Sequence, residues 1–478
     1  MLACAQPPAS VAPPAPKPEP TASVPEPTVT TPGDPGNSIL VILLDDIGVD
    51  QIASYGMHPD PAYTPTIDSL AASGVQFDNA YAQAACSPSR AALLTGRYPR
   101  RSGVGEVIHF WRAEYSLPTS EILIPEALAQ GAPRYTSVAA GKWHLAAHNR
   151  PAFLRDPLDQ GFSTYAGSVE NLAMRLVYGT PDGDYTDWDR NEDGVATTVT
   201  TYATTRTVDD ALDRIQAAPE PWFAYVALNA PHSPFHTPPA ELITATPSFD
   251  QSSLYRAMLE AADTEIGRLL AGIPPDVLAR TTIVLAGDNG TPGEAILPPW
   301  DPERAKLSLY EAGVRVPLIV SGPLVAQPGS RATPLVHLVD VLPTVTEIAG
   351  FDAGVLVRGD GAPVVLDGRS LVPWLTDPAA PDDRLVLYNE KFAPNGPPPY
   401  GETDLRSVRN ARWKLMIDAL GGQESLYRLT PGVVDEGEDL LASGTPLDEE
   451  ARTALDGLRR AIDGHEAMLT YEGDPAAP

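Results

Sequence analysis

Three carboxylates and an amide stand at the ends of two apolar runs. "SILVILL" (38–44) is followed by Asp45-Asp46, and "TTIVLA" (281–286) by Gly287-Asp288-Asn289-Gly290. Two similar runs end in bases. "YTSVAA" (135–140) leads into Gly141-Lys142-Trp143-His144, and "WFAYVAL" (222–228) into "NAPHSPFH" with His232. Continuously apolar runs of this length read as strands covered on both faces. Ligands of open α/β sheets bind beyond the carboxyl ends of such strands. One such end is commonly a loop or a helix cap; four on the same sheet edge read as a site. Asp45, Asp46, Asp288 and Asn289 offer only oxygen, the donor set chosen by a hard cation. Without one, the carboxylates would repel one another at close range. Ca²⁺, which tolerates irregular geometry, fits such a set better than Mg²⁺ with its stricter octahedron.

The chain has two cysteines, and one opens the polar stretch "CSPSRAALLTGRYP" (86–99). Ser87 is expected to cap a helix, with Pro88 as its first residue and Gly96 as its stop. Cys86 then lies just outside a helix N-terminus, where free N–H groups and the dipole favour an anion. Arg90 adds a fixed positive charge there. Lys142 and Lys306 could bind further anionic oxygens, and His144 and His232 could move protons.

The elements that hold these residues alternate along the chain. A further apolar run is "RVPLIVSG" (315–322), and "LYRAMLEAADTEIGRLLAGI" (254–273) places Leu254, Met258, Ala262, Ile266 and Leu269 or Leu270 on one helix face. Strands alternating with helices predict an α/β sandwich around a mainly parallel sheet. Residues 5–36 are rich in Pro, Ala, Thr and Glu and read as an extended, disordered spacer. Domain boundaries are expected at 1–36 (tether), 37–364 (catalytic domain) and 365–478. In the last part, "RLVLYNE", "DLRSVRN", "RWKLMID" and "ESLYRL" predict short strands and 447–464 a polar helix, hence a small α+β subdomain. Leu2-Ala3-Cys4 is similar to the end of a bacterial lipoprotein signal, so Cys4 is a candidate lipid anchor, the only route to a membrane in a chain without a spanning apolar run. The net charge of −29 over 478 residues counts against nucleic acid as partner. It also counts, more weakly, against polyanionic substrates.

Together these motifs resemble the formylglycine-dependent sulfatases (arylsulfatase type) of the alkaline-phosphatase superfamily. The resemblance is carried by Cys86-Ser87-Pro88-Ser89-Arg90 with Leu93-Leu94-Thr95-Gly96-Arg97, then "GKWHL" (141–145), "PHSP" (231–234), "GDNG" (287–290) and "KLSLYEAGVRVP" (306–317), in order over about residues 37–440. It implies an alkaline-phosphatase-like α/β/α sandwich and the hydrolysis of a sulfate monoester by S–O cleavage. Cys86 would be converted to Cα-formylglycine by a separate maturating enzyme. Asp45, Asp46, Asp288, Asn289 and the modified Cys86 would bind Ca²⁺. Arg90 would hold the formylglycine and the carboxylates, and Lys142 and Lys306 would grip sulfate. His144 would contact the hydrated aldehyde and take the proton that releases sulfate. His232 would sit by the leaving oxygen, with His232 or Lys306 as its proton donor. A periplasmic or cell-surface location follows from the same pattern. Ala85 and Glu311-Ala312-Gly313 depart from the commoner family residues, and a sulfate-contacting serine has only Ser168 or Asn171 as counterpart.

Two rival functions stay open at this level: a phosphate or phosphonate monoester hydrolase on the same scaffold, and a surface lipoprotein that binds sulfated ligands without turnover. "DRNEDG" (189–194) fits the start of an EF-hand loop, but Thr200 stands where the bidentate glutamate belongs, so a solvated acidic loop is the simpler reading. His236 could line the pocket, and Trp111, Trp188 and Trp300 could stack on a ligand, though packing explains each as well. The loops around 104–120, 146–200 and 290–305 are expected to choose the substrate.

Overall fold

The run that opens the fold feeds two cores at once. Ile39, Val41 and Leu43 enter one apolar cluster, and Leu40, Ile42 and Leu44 enter another. Side chains alternate across a strand, so an unbroken apolar run needs cover on both faces. In the computed structural model of the chain, the described residues are 31–34, 36–109, 115–175, 182–430, 435–442, 444 and 446–468. Cys4, most of the Pro-rich spacer and Trp111 lie outside them.

The main sheet has ten strands: β1 (Ser38–Leu44), β2 (Gly74–Tyr81), β3 (Thr136–Gly141), β4 (Thr164–Gly167), β5 (Trp188–Glu192), β6 (Val195–Val199), β7 (Trp222–Ala227), β8 (Thr281–Gly287), β9 (Leu318–Ser321) and β10 (Ser330–His337). Their order is β10-β2-β9-β8-β1-β7-β3-β4-β5-β6. Strands β8, β1, β7, β3 and β4 are parallel neighbours, and β10 runs parallel to β2. Against expectation for a buried run, β9 is antiparallel to both β2 and β8. It is also shorter than 315–322, starting after Pro317, which has no N–H for a ladder.

One face is covered by the helices Cys86–Thr95, Ile124–Gly131 and Val341–Ile348, through residues such as Leu93, Leu128 and Val345. The other is covered by Pro65–Ser73, Ala203–Ala217 and Gln251–Gly272, the last burying Leu254, Met258, Ala262, Ile266, Leu269 and Leu270. The sandwich read from the sequence is therefore present. The "DRNEDG" segment is a strand and a turn: β5 and β6 form a hairpin across Asp193-Gly194, with Asp189 accepting from the Thr198 hydroxyl at 2.6 Å. Both turn residues have positive φ (49° and 96°), the turn that a twisted hairpin favours. This replaces both loop readings of the segment.

A second, four-stranded antiparallel sheet follows: β11 (Leu387–Ala393), β12 (Thr403–Arg409), β13 (Trp413–Asp418) and β14 (Gln423–Arg428). The helix Glu449–Met468 lays Ala451, Leu455, Leu458 and Ile462 on Val408, Leu415 and Leu426 of this sheet. Among the described residues no helix is long and apolar enough to cross a membrane.

Buried charge joins the two sheets. Glu311, just after the Lys306 segment, accepts from Tyr81 Oη (2.7 Å), Arg409 Nη1 (2.8 Å) and Lys414 Nζ (3.1 Å). Lys414 also reaches Glu436 at 2.9 Å. Glu311→Ala would leave Arg409 without this carboxylate in a buried site, a change that costs about 3–5 kcal/mol. Urea unfolding should show that loss, and a smaller one for Glu436→Ala, because Lys414 keeps Glu311.

Candidate active site

Four neighbouring parallel strands, β8, β1, β7 and β3, deliver their carboxyl ends to one place. The backbone knits these ends together: Asp288 N donates to Leu44 O at 3.0 Å, Lys142 N to Ala227 O at 2.8 Å and Asp45 N to Ala230 O at 3.3 Å. Two glycines make the approach feasible. A Cβ on Gly141 would lie 1.9 Å from Ala227 O, and one on Gly290 1.8 Å from Ala312 O. Asp46, His144 and Leu307 adopt positive φ (69°, 62° and 74°) without being glycine. Such strain concentrates where the surroundings over-determine a functional geometry.

Cys86 is 1 % exposed and is itself the first residue of the helix Cys86–Thr95. The cap is Ala85, without a side-chain hydrogen bond; Ser87, expected to cap, instead accepts from Ile108 N at 3.0 Å. Gly96 ends the helix at φ 68° as expected. The thiol lies 3.4 Å from Asp45 Oδ1 and 4.0 Å from Asp46 Oδ1. Burial, and after it the Asp45 charge, raises its pKa, so it rests as a neutral thiol.

The carboxylates are paired with three cations. Arg90 donates Nε and Nη2 to Asp288 Oδ2 (3.1 and 2.8 Å), and Nη1 to Lys142 O (2.9 Å). Lys142 Nζ meets Asp45 Oδ2 at 2.6 Å, and Lys306 Nζ meets Asp46 Oδ1 at 2.5 Å. Burial alone would raise Asp45, but Lys142, His232 and Arg90 bring it well below the usual carboxylate range. Burial and Asp45 push Asp288 up to about 7, against the pull of Arg90. Lys142 and Lys306 are both raised, their aspartates outweighing burial, so both hold their protons.

The two histidines differ. His232 Nδ1 lies 2.7 Å from Ser233 O, which can only accept, so Nδ1 carries the hydrogen. Its Nε2 is then a lone pair, 3.8 Å from Asp46 Oδ2. Burial lowers this imidazole to about 4. His144 is 1 % exposed, with Nε2 near Ile108 O (3.1 Å) and Glu170 Oε1 (3.0 Å).

Atoms of Asp45, Asp46, Cys86 and His232 lie within 4.8 Å of one another, close enough to share one metal ion. Asp288 and Asn289 adjoin them: Asp288 Oδ1 accepts from Asp46 N at 2.9 Å, and Asn289 Nδ2 donates to Asp46 Oδ1 at 2.8 Å. Asn289 Oδ1 is buried and has no hydrogen-bond partner, a cost that a cation ligated there would remove. Repelling carboxylates and an orphaned amide oxygen fit a hard divalent ion.

All ten residues singled out in the sequence thus occupy this strand-end region. Glu170 was not foreseen; it follows the four-residue β4 and carries no motif. Of the serine counterparts, Ser168 exchanges hydrogen bonds with Asn229 (3.0 and 3.2 Å), while Asn171 Oδ1 is buried without a partner. His236 packs on Tyr185 and Tyr202, and Trp188, the first residue of β5, and Trp300 are buried in one apolar core.

A sequence model of the Sulfatase family matches residues 37–351. Human N-acetylgalactosamine-6-sulfatase is 31% identical over 390 residues, 73% of this chain and 68% of that protein. Rat arylsulfatase G is 28% identical over 508 residues, covering 92% of this chain and 90% of its own. The crystal structure of Ps i-CgsB in complex with k-i-k-neocarrahexaose superposes with a TM-score of 0.71 over 94% of each chain, at 22% identity, a likeness of fold. With the strand-end constellation and the cysteine-led helix already in place, these matches settle the class: the chain belongs to the sulfatase family and is a hydrolase of sulfate esters.

Proposed function

We propose that this enzyme removes sulfate from a saccharide ester, using a formylglycine made from Cys86 and a Ca²⁺ ion held by Asp45, Asp46, Asp288 and Asn289. The observation that carries this reading is the placement of Cys86 within reach of Asp45 and Asp46, each of which also holds a lysine. Saccharide chemistry is favoured by the names of the relative, an N-acetylgalactosamine-6-sulfatase, and of the neocarrahexaose complex. The site itself fits a tetrahedral anion of either sulfur or phosphorus, and the family match favours sulfur.

When bound, the cation supplies positive charge that polarises oxygen and neutralises the aspartates. The hydrated formylglycine supplies two hydroxyls, one to attack sulfur and one whose deprotonation releases sulfate. Everything else falls to the side chains. Lys142 and Lys306 lean on aspartates that a cation would neutralise, which frees their N–H groups for the anionic oxygens of the ester. Arg90, tied to Asp288 and to the Lys142 carbonyl, fixes the floor of the site. Lys306 is the better proton donor to the leaving oxygen, since it is cationic while His232 is neutral with its hydrogen on Nδ1. The latter nitrogen points at Ser233, so His232 Nε2 offers a lone pair and no proton.

An exported enzyme, anchored at Cys4 by lipid and spaced by the Pro-rich segment, is our reading of the N-terminal composition. The maturating enzyme would be its processing partner.

Peptide mass spectrometry on the fragment with Cys86, from protein co-produced with the modifying enzyme, should find the aldehyde. A plain thiol together with absent sulfate release would sink the formylglycine reading. On paired aryl sulfate and aryl phosphate substrates, turnover of sulfate should dominate; equal turnover would favour the phosphate and phosphonate alternative. Adding Ca²⁺ to chelator-stripped protein should raise its melting temperature, by about 2.7 kcal/mol of added stability at a hundredfold excess over Kd. Asp46→Asn should blunt that rise. Lys306→Ala should lower kcat by about 10²–10⁴-fold on alkyl esters, the range of a lost general acid. It should cost less on aryl esters, whose leaving group needs no proton.

A further inference from the structure

Strands β3 and β4 continue to face each other past their ends. Trp143 N donates to Ser168 O at 2.9 Å, and His144 N to Val169 O at 3.1 Å. That register sets Glu170 beside the imidazole of His144. Glu170 Oε1 lies 3.0 Å from His144 Nε2 and also accepts from Asn171 N at 3.1 Å, so the carboxylate is held from its own backbone. The carbonyl oxygen of Ile108, on the loop anchored to Ser87, lies 3.1 Å from the same nitrogen.

A backbone carbonyl can only accept, so Nε2 must carry the hydrogen that it shares between Ile108 and Glu170. The neutral ring then has its lone pair on Nδ1. That atom is buried and has no hydrogen-bond partner. A buried acceptor without a partner is costly in a folded protein and persists where a ligand or a reacting group completes it. When Nδ1 takes a proton, the positive ring faces the Glu170 carboxylate, 5 % exposed, across a charge-assisted hydrogen bond. A carboxylate on one nitrogen of an imidazole whose other nitrogen is left open is the arrangement by which an orienting acid sets a histidine's tautomer.

We propose that Glu170 is a positioning residue that, with the Ile108 carbonyl, holds His144 as the Nε2–H tautomer and so presents Nδ1 as the base that accepts the proton from the formylglycine hydroxyl. This deepens the reading given under Proposed function and rests on it for the identity of the reacting hydroxyl. The proton passes from that oxygen to Nδ1, and Glu170 stays ionised throughout.

The test uses two readouts. The first is the ¹⁵N spectrum of histidine-labelled full-length protein with Cys86 unmodified, His144 being assigned by its disappearance in His144→Gln. The wild-type ring should show a protonated Nε2 and a bare Nδ1. Glu170→Ala should move His144 towards a mixture of tautomers, and Glu170→Gln, which keeps an acceptor oxygen, should restore most of the wild-type pattern. The second readout is steady-state kinetics of the matured enzyme. Glu170→Ala should lower kcat by about 10- to 100-fold, the usual effect of losing an orienting partner, with KM little changed, and Glu170→Gln should recover part of it. A bare Nε2 in the wild type, an unaltered His144 spectrum in Glu170→Ala, or wild-type kcat in that variant overturns the proposal. If the matured wild type releases no sulfate from any ester, the functional reading fails, while the spectrum still decides the tautomer.

Discussion

Three buried carboxylates opposed by three cations, two of them fully buried, are the interaction on which the rest of the molecule depends. Asp45, Asp46 and Asp288 are 0–2 % exposed, and Arg90, Lys142 and Lys306 answer them. Such charges are expensive to take out of water, and each is tolerable only while its partner is in place. The partners come from distant parts of the chain: two strand ends for the acids, the cysteine-led helix, a third strand end and the Lys306 segment for the bases. The sheet order that makes β8, β1, β7 and β3 neighbours is what brings them together. A site built this way sets its acids against its bases before any ligand enters.

The second sheet extends this dependence outward. Glu311 lies in the short turn of helix that follows Lys306, and its carboxylate is shared by Tyr81 of β2, Arg409 of β12 and Lys414 of β13. Nearby, Asn389 of β11 donates to Ala82 O at 2.6 Å, and Glu390 N to Gln83 Oε1 at 3.0 Å, within the turn that leads to Cys86. The C-terminal strands therefore buttress two loops of the site from behind. Their apolar helix packing and their polar edge do different work, one holding the small sheet together and the other seating it.

Much of this was legible in the chain because the chemistry follows long apolar runs. Asp45, Lys142 and Asp288 come directly after strands that are buried on both faces, His232 follows another within a short loop, and such strands announce themselves by composition. Glu170 had no such herald: β4 has four residues, Thr164–Gly167, and its partner alignment with β3 is a tertiary fact. The start of the cysteine helix was misjudged by a residue or two because Ser87 and Pro88 satisfy capping preferences that hold for isolated helices. Here Ser87 is spent on Ile108, a contact across twenty-one positions of chain. The acidic hexapeptide at 189–194 looked like a loop by ligand spacing, yet the hairpin uses the same residues for a turn and a cross-strand bond. The hydrogen on each histidine was beyond sequence reasoning, since it is dictated by which acceptors lie nearby, a carbonyl for His232 and a carbonyl with a carboxylate for His144.

The burial of Cys86 also carries a consequence in time. A thiol that is 1 % exposed, at the first turn of a helix pressed on the central sheet, offers nothing for another protein's active site to grasp. An enzyme that rewrites this side chain must meet the segment while it is still extended, before the helix docks and before β11 closes over the preceding turn. Were Cys86 converted as proposed, folding and modification of this chain would compete for one interval. The fraction of competent molecules in a preparation would be decided by the speed of collapse, and not by the stability of the finished fold.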